Sequence, residues 1–131
     1  MIQEAWGEAG LPYQLAFVQD GEELLERLRG QGRWAERREP LPRLILLDLN
    51  MPRMDGREAL EKIKTDPDLH CIPTLIFTTS HAPDDVRAAY DLGANSFLSK
   101  PARFDDLVDV FRALDRYWLR VVELPPQRGA R

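Results

Sequence analysis

The sequence contains little of what disulfide-bonded, membrane-spanning or nucleic-acid-binding proteins need. Its single cysteine, Cys71, cannot form an internal disulfide, and beside His70 it offers too few ligands for a zinc site. No apolar run approaches the roughly 20 residues of a membrane-spanning helix, and the N-terminus lacks the features of a signal peptide. The formal net charge of −4 argues against nucleic acid as a main partner. We therefore expect a cytoplasmic protein with no membrane or nucleic-acid partner, in which Cys71 is a small core or loop residue.

A length of 131 residues matches one ordinary domain built around a single core. Apolar residues make up 44% of the chain and charged residues 31%, as in soluble globular proteins. We predict one domain over residues 1–124 and a C-terminal tail over residues 125–131. Because the tail is too short to fold or to bind DNA, we expect the output to come from association with other proteins.

Short apolar runs alternate with amphipathic helical patterns along the chain. The runs predict four buried parallel strands, at residues 13–18, 43–49, 74–79 and 96–100. Spaced apolar residues predict a helix before, between and after them, the first ending at Gly10 and the last running from Phe104 to Val121. This alternation, without an internal repeat, predicts an α/β fold: an open parallel sheet with helices on both faces.

The connection at residues 30–42 is long and charged. Trp34 within it could dock a partner. A solvated loop with this one aromatic packed against the domain is the favoured interpretation.

An aspartate ends the most apolar of the predicted strands. Asp48 follows three leucines and an isoleucine, and an unpaired buried carboxylate is strongly unfavourable. In open parallel sheets, ligands bind beyond the carboxyl ends of the strands, where Thr78, Thr79 and Lys100 should also lie. Lys100 would keep Asp48 ionised. Asp48 by itself would be interpreted as a cap or turn residue, but the three strand ends together predict a functional site.

Three segments resemble the late signatures of response-regulator receiver domains: LILLDLNMPRMDG at 44–56, TTS at 78–80 and SFLSKPA at 96–102. The 30 residues from Asp48 to Thr78 and the 52 from Asp48 to Lys100 are the usual intervals of this family. The resemblance runs from about Pro12 to the C-terminus. It implies the flavodoxin-like receiver fold.

The resemblance also implies a role for each matching residue. Asp48 would accept a phosphoryl group from a phosphohistidine of a histidine kinase, with Lys100 neutralising charge on the transferring oxygens. Thr78 would be the switch hydroxyl and Phe97 the aromatic rotamer switch. The carboxylate of Asp48 and the backbone carbonyl of Asn50 would bind Mg²⁺. A cis peptide bond is implied between Lys100 and the proline that follows it.

The chain departs from the family at its start. Receiver domains begin with a strand that ends in two or three acids, which bind Mg²⁺, and no such strand precedes the first predicted helix. Glu4 and Glu8 lie on that helix and are not assigned the role. Three explanations stay open: a true start further upstream, four strands closed up in the order 2-3-4-5, or a strand supplied by another chain. If Met1 is the true start, we expect weak Mg²⁺ binding and poor phosphorylation.

The C-terminal segment FRALDRYWLRVVELPP resembles the ending of single-domain regulators that work with bacterial phytochrome-type histidine kinases. Its apolar stripe either covers the core of the domain or joins a second copy. We favour a homodimer through the stripe, which consists of Tyr117, Trp118, Val121 and Val122.

These observations predict a stand-alone response regulator of a two-component phosphorelay, a signalling protein rather than an enzyme. One alternative is a degenerate receiver, an interaction module that is not phosphorylated because its metal site is incomplete. The other is a phosphatase with an aspartyl phosphate intermediate. It is disfavoured because Asn50 stands where that class has an acidic general acid, and because the chain has no glycine-rich phosphate loop.

Overall fold

The computed structural model describes residues 1–36, 39–51 and 53–126. The chain divides into two compact units. We call residues 17–99 with Pro125 and Pro126 the sheet unit, and residues 1–16 with 100–124 the helical unit. Within the described ranges, no helix is both long and apolar enough to cross a membrane. In chain order the elements are α1 (Ile2–Ala9), α2 (Gly21–Arg29), a 3₁₀ helix (Gly32–Trp34), β1 (Ile45–Leu47), α3 (Gly56–Thr65), β2 (Thr74–Thr78), α4 (Pro83–Asp91), β3 (Ser96–Ser99), α5 (Phe104–Leu114) and a π-helix (Asp115–Val121).

The three strands form one parallel sheet in the order β1-β2-β3. Every residue of the central strand β2 is buried, as its run of leucine, isoleucine and phenylalanine between two threonines predicts. Side chains from α2 and α3 pack with those of the sheet, each fully buried large apolar side chain contributing about 1.5–3 kcal/mol. The buried core of the sheet unit includes Leu24, Leu25, Leu28, Ile45, Leu47, Leu60, Ile63 and Ile76.

Helices α2 and α3 begin at aspartate caps. The Asp20 carboxylate accepts a hydrogen bond from the backbone N–H of Glu23 at 2.9 Å. In the same way, Asp55 accepts one from the N–H of Glu58 at 3.0 Å. Helix α2 ends at Gly30, whose φ of 65° lies in the left-handed region that glycine adopts without strain. Local sequence therefore sets where both helices start.

A half-buried lysine closes the end of the sheet at which β2 begins. The Lys64 ammonium donates to the carbonyl oxygens of His70 and Ile72, at 3.0 and 2.9 Å, and to Oδ1 of Asn95 at 3.0 Å. The same Oδ1 accepts the N–H of Thr74 at 2.9 Å, which ties β2 to the residue preceding β3. Burial lowers the pKa of Lys64. This lysine is therefore a structural donor.

The helical unit is held by contacts between α1 and α5. The indole of Trp6 packs edge-on against the ring of Phe111, with centroids 5.2 Å apart. Arg112 donates to the carbonyl oxygen of Glu8 at 3.2 Å. Gly10, with φ 70°, ends α1 as predicted. The predicted C-terminal helix is confirmed to its last residue, although its final seven residues form a π-helix rather than an α-helix.

The predicted strand at residues 13–18 is wrong. The chain there is irregular, and the aromatic side chains of Tyr13 and Phe17 are exposed. A strand needs a neighbour to pair its backbone N–H and C=O groups, and among the described residues the sheet consists of β1, β2 and β3. The alternative of four strands in the order 2-3-4-5 is therefore also wrong.

In the connection at residues 30–42, the structure confirms the favoured interpretation that Trp34 packs against the domain. Trp34 is 8% exposed, and two guanidinium groups lie over its ring, that of Arg27 4.4 Å and that of Arg33 5.2 Å from the ring centroid. Residues 37 and 38 of this connection lie outside the described residues. Cys71 lies half-buried in the turn before β2, which confirms that it is a loop residue.

Candidate functional site

The register of β1 and β2 places Asp48 and Thr78 at adjacent strand ends. Leu47 lies opposite Ile76, so Asp48 comes one residue beyond the pair and Thr78 two residues beyond it on the neighbouring strand. Asp48 is half-buried, whereas Thr78 is completely buried. The structure thus brings these two predicted site residues to the same edge of the sheet, the one at which parallel α/β proteins bind ligands.

The backbone around Asp48 is tightly folded. Its Oδ1 accepts a hydrogen bond from the N–H of Asn50 at 3.0 Å, an arrangement that turns the chain after β1. Gly56 then packs against the strand end and donates its N–H to the carbonyl oxygen of Leu49 at 3.0 Å. A Cβ at this position would overlap the Asp48 carbonyl oxygen and lie 2.6 Å from Cα of Leu49. Only glycine fits there.

The loop after β1 is also anchored to the start of α2. Arg53 has φ 62°, a conformation that L-residues other than glycine, asparagine and aspartate rarely adopt. Its guanidinium donates to Oδ2 of Asp20 at 2.9 and 2.6 Å and lies 3.3 Å from a carboxylate oxygen of Glu22. Hydrogen bonding to Asp20 raises the pKa of Arg53. Sequence analysis predicted no role for Arg53 or Asp20, because their contact joins positions that are 33 residues apart in the chain. Pro52 of this loop lies outside the described residues.

The hydroxyl of Thr78 is buried without a protein partner. Its Oγ1 makes no hydrogen bond with any residue that the structure describes. An unsatisfied buried polar group costs about 1–3 kcal/mol, so such groups in native proteins call for an explanation. A ligand oxygen at this edge of the sheet would supply the missing partner.

A carboxylate on α4 joins the start of α3 to the loop after β2. Oδ2 of Asp85 accepts a hydrogen bond from the Ser80 hydroxyl at 2.6 Å, and Oδ1 accepts one from Nη2 of Arg57 at 2.8 Å. These donors, Ser80 first and then Arg57, lower the pKa of Asp85. We call these three residues the Asp85 bridge. Sequence reasoning missed it, because nothing in the sequence pairs the start of α3 with the start of α4.

The remaining predicted residues lie on or just after β3. Phe97 is half-buried and packs against the core of the sheet unit. Lys100 is half-buried and directly follows β3. Its peptide bond to the next proline is trans, so the expected cis bond is wrong. Because Lys100 belongs to the helical unit, its approach to Asp48 stays a prediction.

The residues present supply few ligands for a metal ion. No cluster of three or more His, Cys, Asp or Glu side chains suited to a metal occurs in the part of the chain that the structure describes. The Asp48 carboxylate and the Asn50 carbonyl offer two kinds of oxygen, and one Asp48 oxygen already accepts the Asn50 N–H. Mg²⁺ takes six oxygens but keeps several waters, with one or two carboxylates. This donor set therefore fits a Mg²⁺ ion that keeps most of its waters.

Comparison with known proteins identifies the class. Residues 2–112 match the response regulator receiver domain. The chain belongs to this family of two-component signalling proteins and has its open parallel, flavodoxin-like fold. Response regulator Rcp1 of Synechocystis sp. is 40% identical over 125 residues, which cover 95% of this chain and 84% of Rcp1.

Two solved structures are similar over nearly the same range. One is a phosphorylated cyanobacterial phytochrome response regulator, RcpA, with a TM-score of 0.86 and 40% identity over 95% of this chain and 87% of that one. The other is the Mn²⁺-bound form of Rcp1, with a TM-score of 0.84 and 40% identity over 95% of this chain and 88% of that one. Phosphorylation and divalent metal binding are thus recorded for similar proteins.

Proposed function

We propose that Asp48 accepts a phosphoryl group from a histidine kinase and that the chain then signals by binding other proteins. The observation that carries the proposal is the half-buried Asp48 at a strand end beside the completely buried Thr78, whose hydroxyl lacks a partner among the described residues. A carboxylate oxygen of Asp48 attacks the phosphorus, the P–N bond breaks, and the imidazole leaves and takes a proton from solvent. The product is an acyl phosphate.

The other site residues act on the charge of the phosphoryl group. Thr78 donates a hydrogen bond to one of its oxygens, and the Lys100 ammonium neutralises another. Movement of Thr78 leaves room for Phe97 to turn inward, which changes the nearby surface. Mg²⁺, held by the Asp48 carboxylate and the Asn50 carbonyl, would supply further positive charge there.

The similarity to a phytochrome response regulator supports a phytochrome-type histidine kinase as the partner. A second copy of the chain is the other proposed partner. Tyr117 is 57% exposed and Val121 67% exposed on the π-helix, so the described residues leave these apolar side chains uncovered. Sedimentation of the wild type and of Val121→Lys tests the homodimer: the wild type should sediment as a dimer and the variant as a monomer. A monomeric wild type at high concentration would exclude the homodimer.

Acetyl phosphate with Mg²⁺, followed by intact-mass measurement, tests phosphorylation. We expect the wild type to gain one phosphoryl group and Asp48→Asn to gain none. The matched control is Asp84→Asn, which removes an exposed carboxylate elsewhere in the sheet unit and should label like the wild type. A wild type that gains no mass at any Mg²⁺ concentration would instead favour the degenerate receiver. The small number of metal ligands among the described residues is the observation that supports this alternative.

A further inference from the structure

The Asp85 bridge connects the start of α3 to the loop after β2, close in the chain to the two proposed phosphorylation residues Asp48 and Thr78. On one side, Arg57 follows Gly56, which packs directly against the backbone of Asp48. On the other side, Ser80 lies two residues after Thr78. A continuous set of contacts therefore runs from the end of β1 to the end of β2 through one carboxylate.

The geometry of the bridge is favourable for strong hydrogen bonds. Each carboxylate oxygen of Asp85 has its own donor, at 2.6 Å from the Ser80 hydroxyl and 2.8 Å from the Arg57 guanidinium. Both contacts involve ionised groups, and such bonds are roughly twice as strong as neutral ones. The side chains of Arg57 and Asp85 are about a third exposed, at 38% and 31%, so solvent screens the contact only in part.

We propose that Ser80, Asp85 and Arg57 are positioning residues that hold the loop after β2 in its unphosphorylated arrangement and thereby limit the phosphorylated fraction of the protein. The inference rests on the proposed function of Asp48. In that function Thr78 donates a hydrogen bond to a phosphoryl oxygen on Asp48, and a movement of Thr78 toward this oxygen pulls on Ser80, two residues further along the chain. The hydrogen bond from Ser80 to Asp85 resists it, so the bridge favours the unphosphorylated state.

Arg57→Gln and Ser80→Ala break the bridge at its two different contacts, and the double variant breaks both. Matched controls are Lys62→Gln, an exposed cation on the helix of Arg57, and Asp84→Asn, beside Asp85. Ser80→Thr keeps a hydroxyl and should behave like the wild type. Amide hydrogen exchange of residues 79–82, measured without a phosphoryl donor, should be faster in each bridge variant and unchanged in the controls.

The second measurement is the ratio of phosphorylated to unphosphorylated chain at a fixed acetyl phosphate concentration. Each single variant should raise this ratio about threefold to tenfold, as expected when a partly exposed charged hydrogen bond is lost. Losing either contact already breaks the connection through Asp85, so the double variant should have the same ratio as each single variant. A merely structural role would instead give lower thermal stability with an unchanged ratio.

The outcomes separate the two proposals. A wild type that takes up no phosphoryl group overturns the function of Asp48, and the positioning role with it. A wild type that is phosphorylated to the same ratio as both single variants overturns the positioning role alone. The role of the bridge is contradicted if the double variant raises the phosphorylated ratio by the product of the two single effects. It is also contradicted if Ser80→Thr raises the ratio as Ser80→Ala does.

Discussion

Gly56 offers the sharpest test of how the loop after β1 is built. In Gly56→Ala, the new Cβ would overlap the Asp48 carbonyl oxygen and lie 2.6 Å from Cα of Leu49. Both neighbours are backbone atoms, so no side-chain rotation relieves the overlap. Either the start of α3 or the end of β1 must shift, and the shift breaks the hydrogen bond from the Gly56 N–H to Leu49.

The expected cost follows from these contacts. Overpacking against fixed atoms costs about 1–3 kcal/mol, and the lost hydrogen bond adds about 1 kcal/mol. Alanine is the better helix former, but this position is the first residue of α3, where propensity contributes little. We expect the free energy of unfolding to fall by about 3 kcal/mol. Because either shift disturbs the packing against the backbone of Asp48, phosphorylation should fall too.

Urea denaturation followed by circular dichroism measures this change, with Gly7→Ala as the matched control. Gly7 lies inside α1, and a Cβ there meets nothing within 4 Å. Its replacement should therefore stabilise the protein by about 0.5–1 kcal/mol. If Gly56→Ala unfolds at the same urea concentration as the wild type, or moves in the same direction as Gly7→Ala, the described packing against Asp48 is wrong.

Three further changes have defined outcomes. Lys64→Met leaves three oxygen acceptors without their charged donor, so unfolding in urea should show a loss of about 2–3 kcal/mol, against almost none for the exposed Lys62→Met. Equal effects of the two substitutions would refute the structural role of the Lys64 ammonium. Arg53→Ala and Arg53→Gly both lose the contact to Asp20, but only glycine adopts the left-handed backbone without strain. Arg53→Gly should therefore be more stable to urea than Arg53→Ala by about 1 kcal/mol. The reverse order would contradict the φ of 62°. The pKa of Asp85 is lowered, so the stabilisation from its charged form is complete above the ordinary carboxyl pKa of about 4 and is lost as the pH falls through the lower folded value. The Tm difference between the wild type and Asp85→Asn should be constant near neutral pH and shrink in acid, and a difference that grows in acid would reverse the sign.

Local patterns in the sequence determined most of the secondary structure. The apolar runs predicted all three strands, and the central strand β2 is buried on both faces of the parallel sheet, where a strand needs no alternation with polar residues. The edge strand β3 is only half-buried and ends at an exposed serine. Aspartate caps and the glycines that end α1 and α2 act within a few residues, so the chain itself specifies those helix ends. The positions of Asp48 and Thr78 followed from the same patterns, because both residues end predicted strands.

Tertiary structure decided whatever depends on residues far apart in the chain. Residues 13–18 have the composition of a strand but are irregular, because a strand forms only where a neighbour pairs its backbone. Neither the contact of Arg53 with Asp20 nor the Asp85 bridge has a signal in local spacing. Thr78 was predicted to be a site residue. That its buried hydroxyl lacks a hydrogen-bond partner could not be predicted, because burial and hydrogen bonding are set only when the elements pack together.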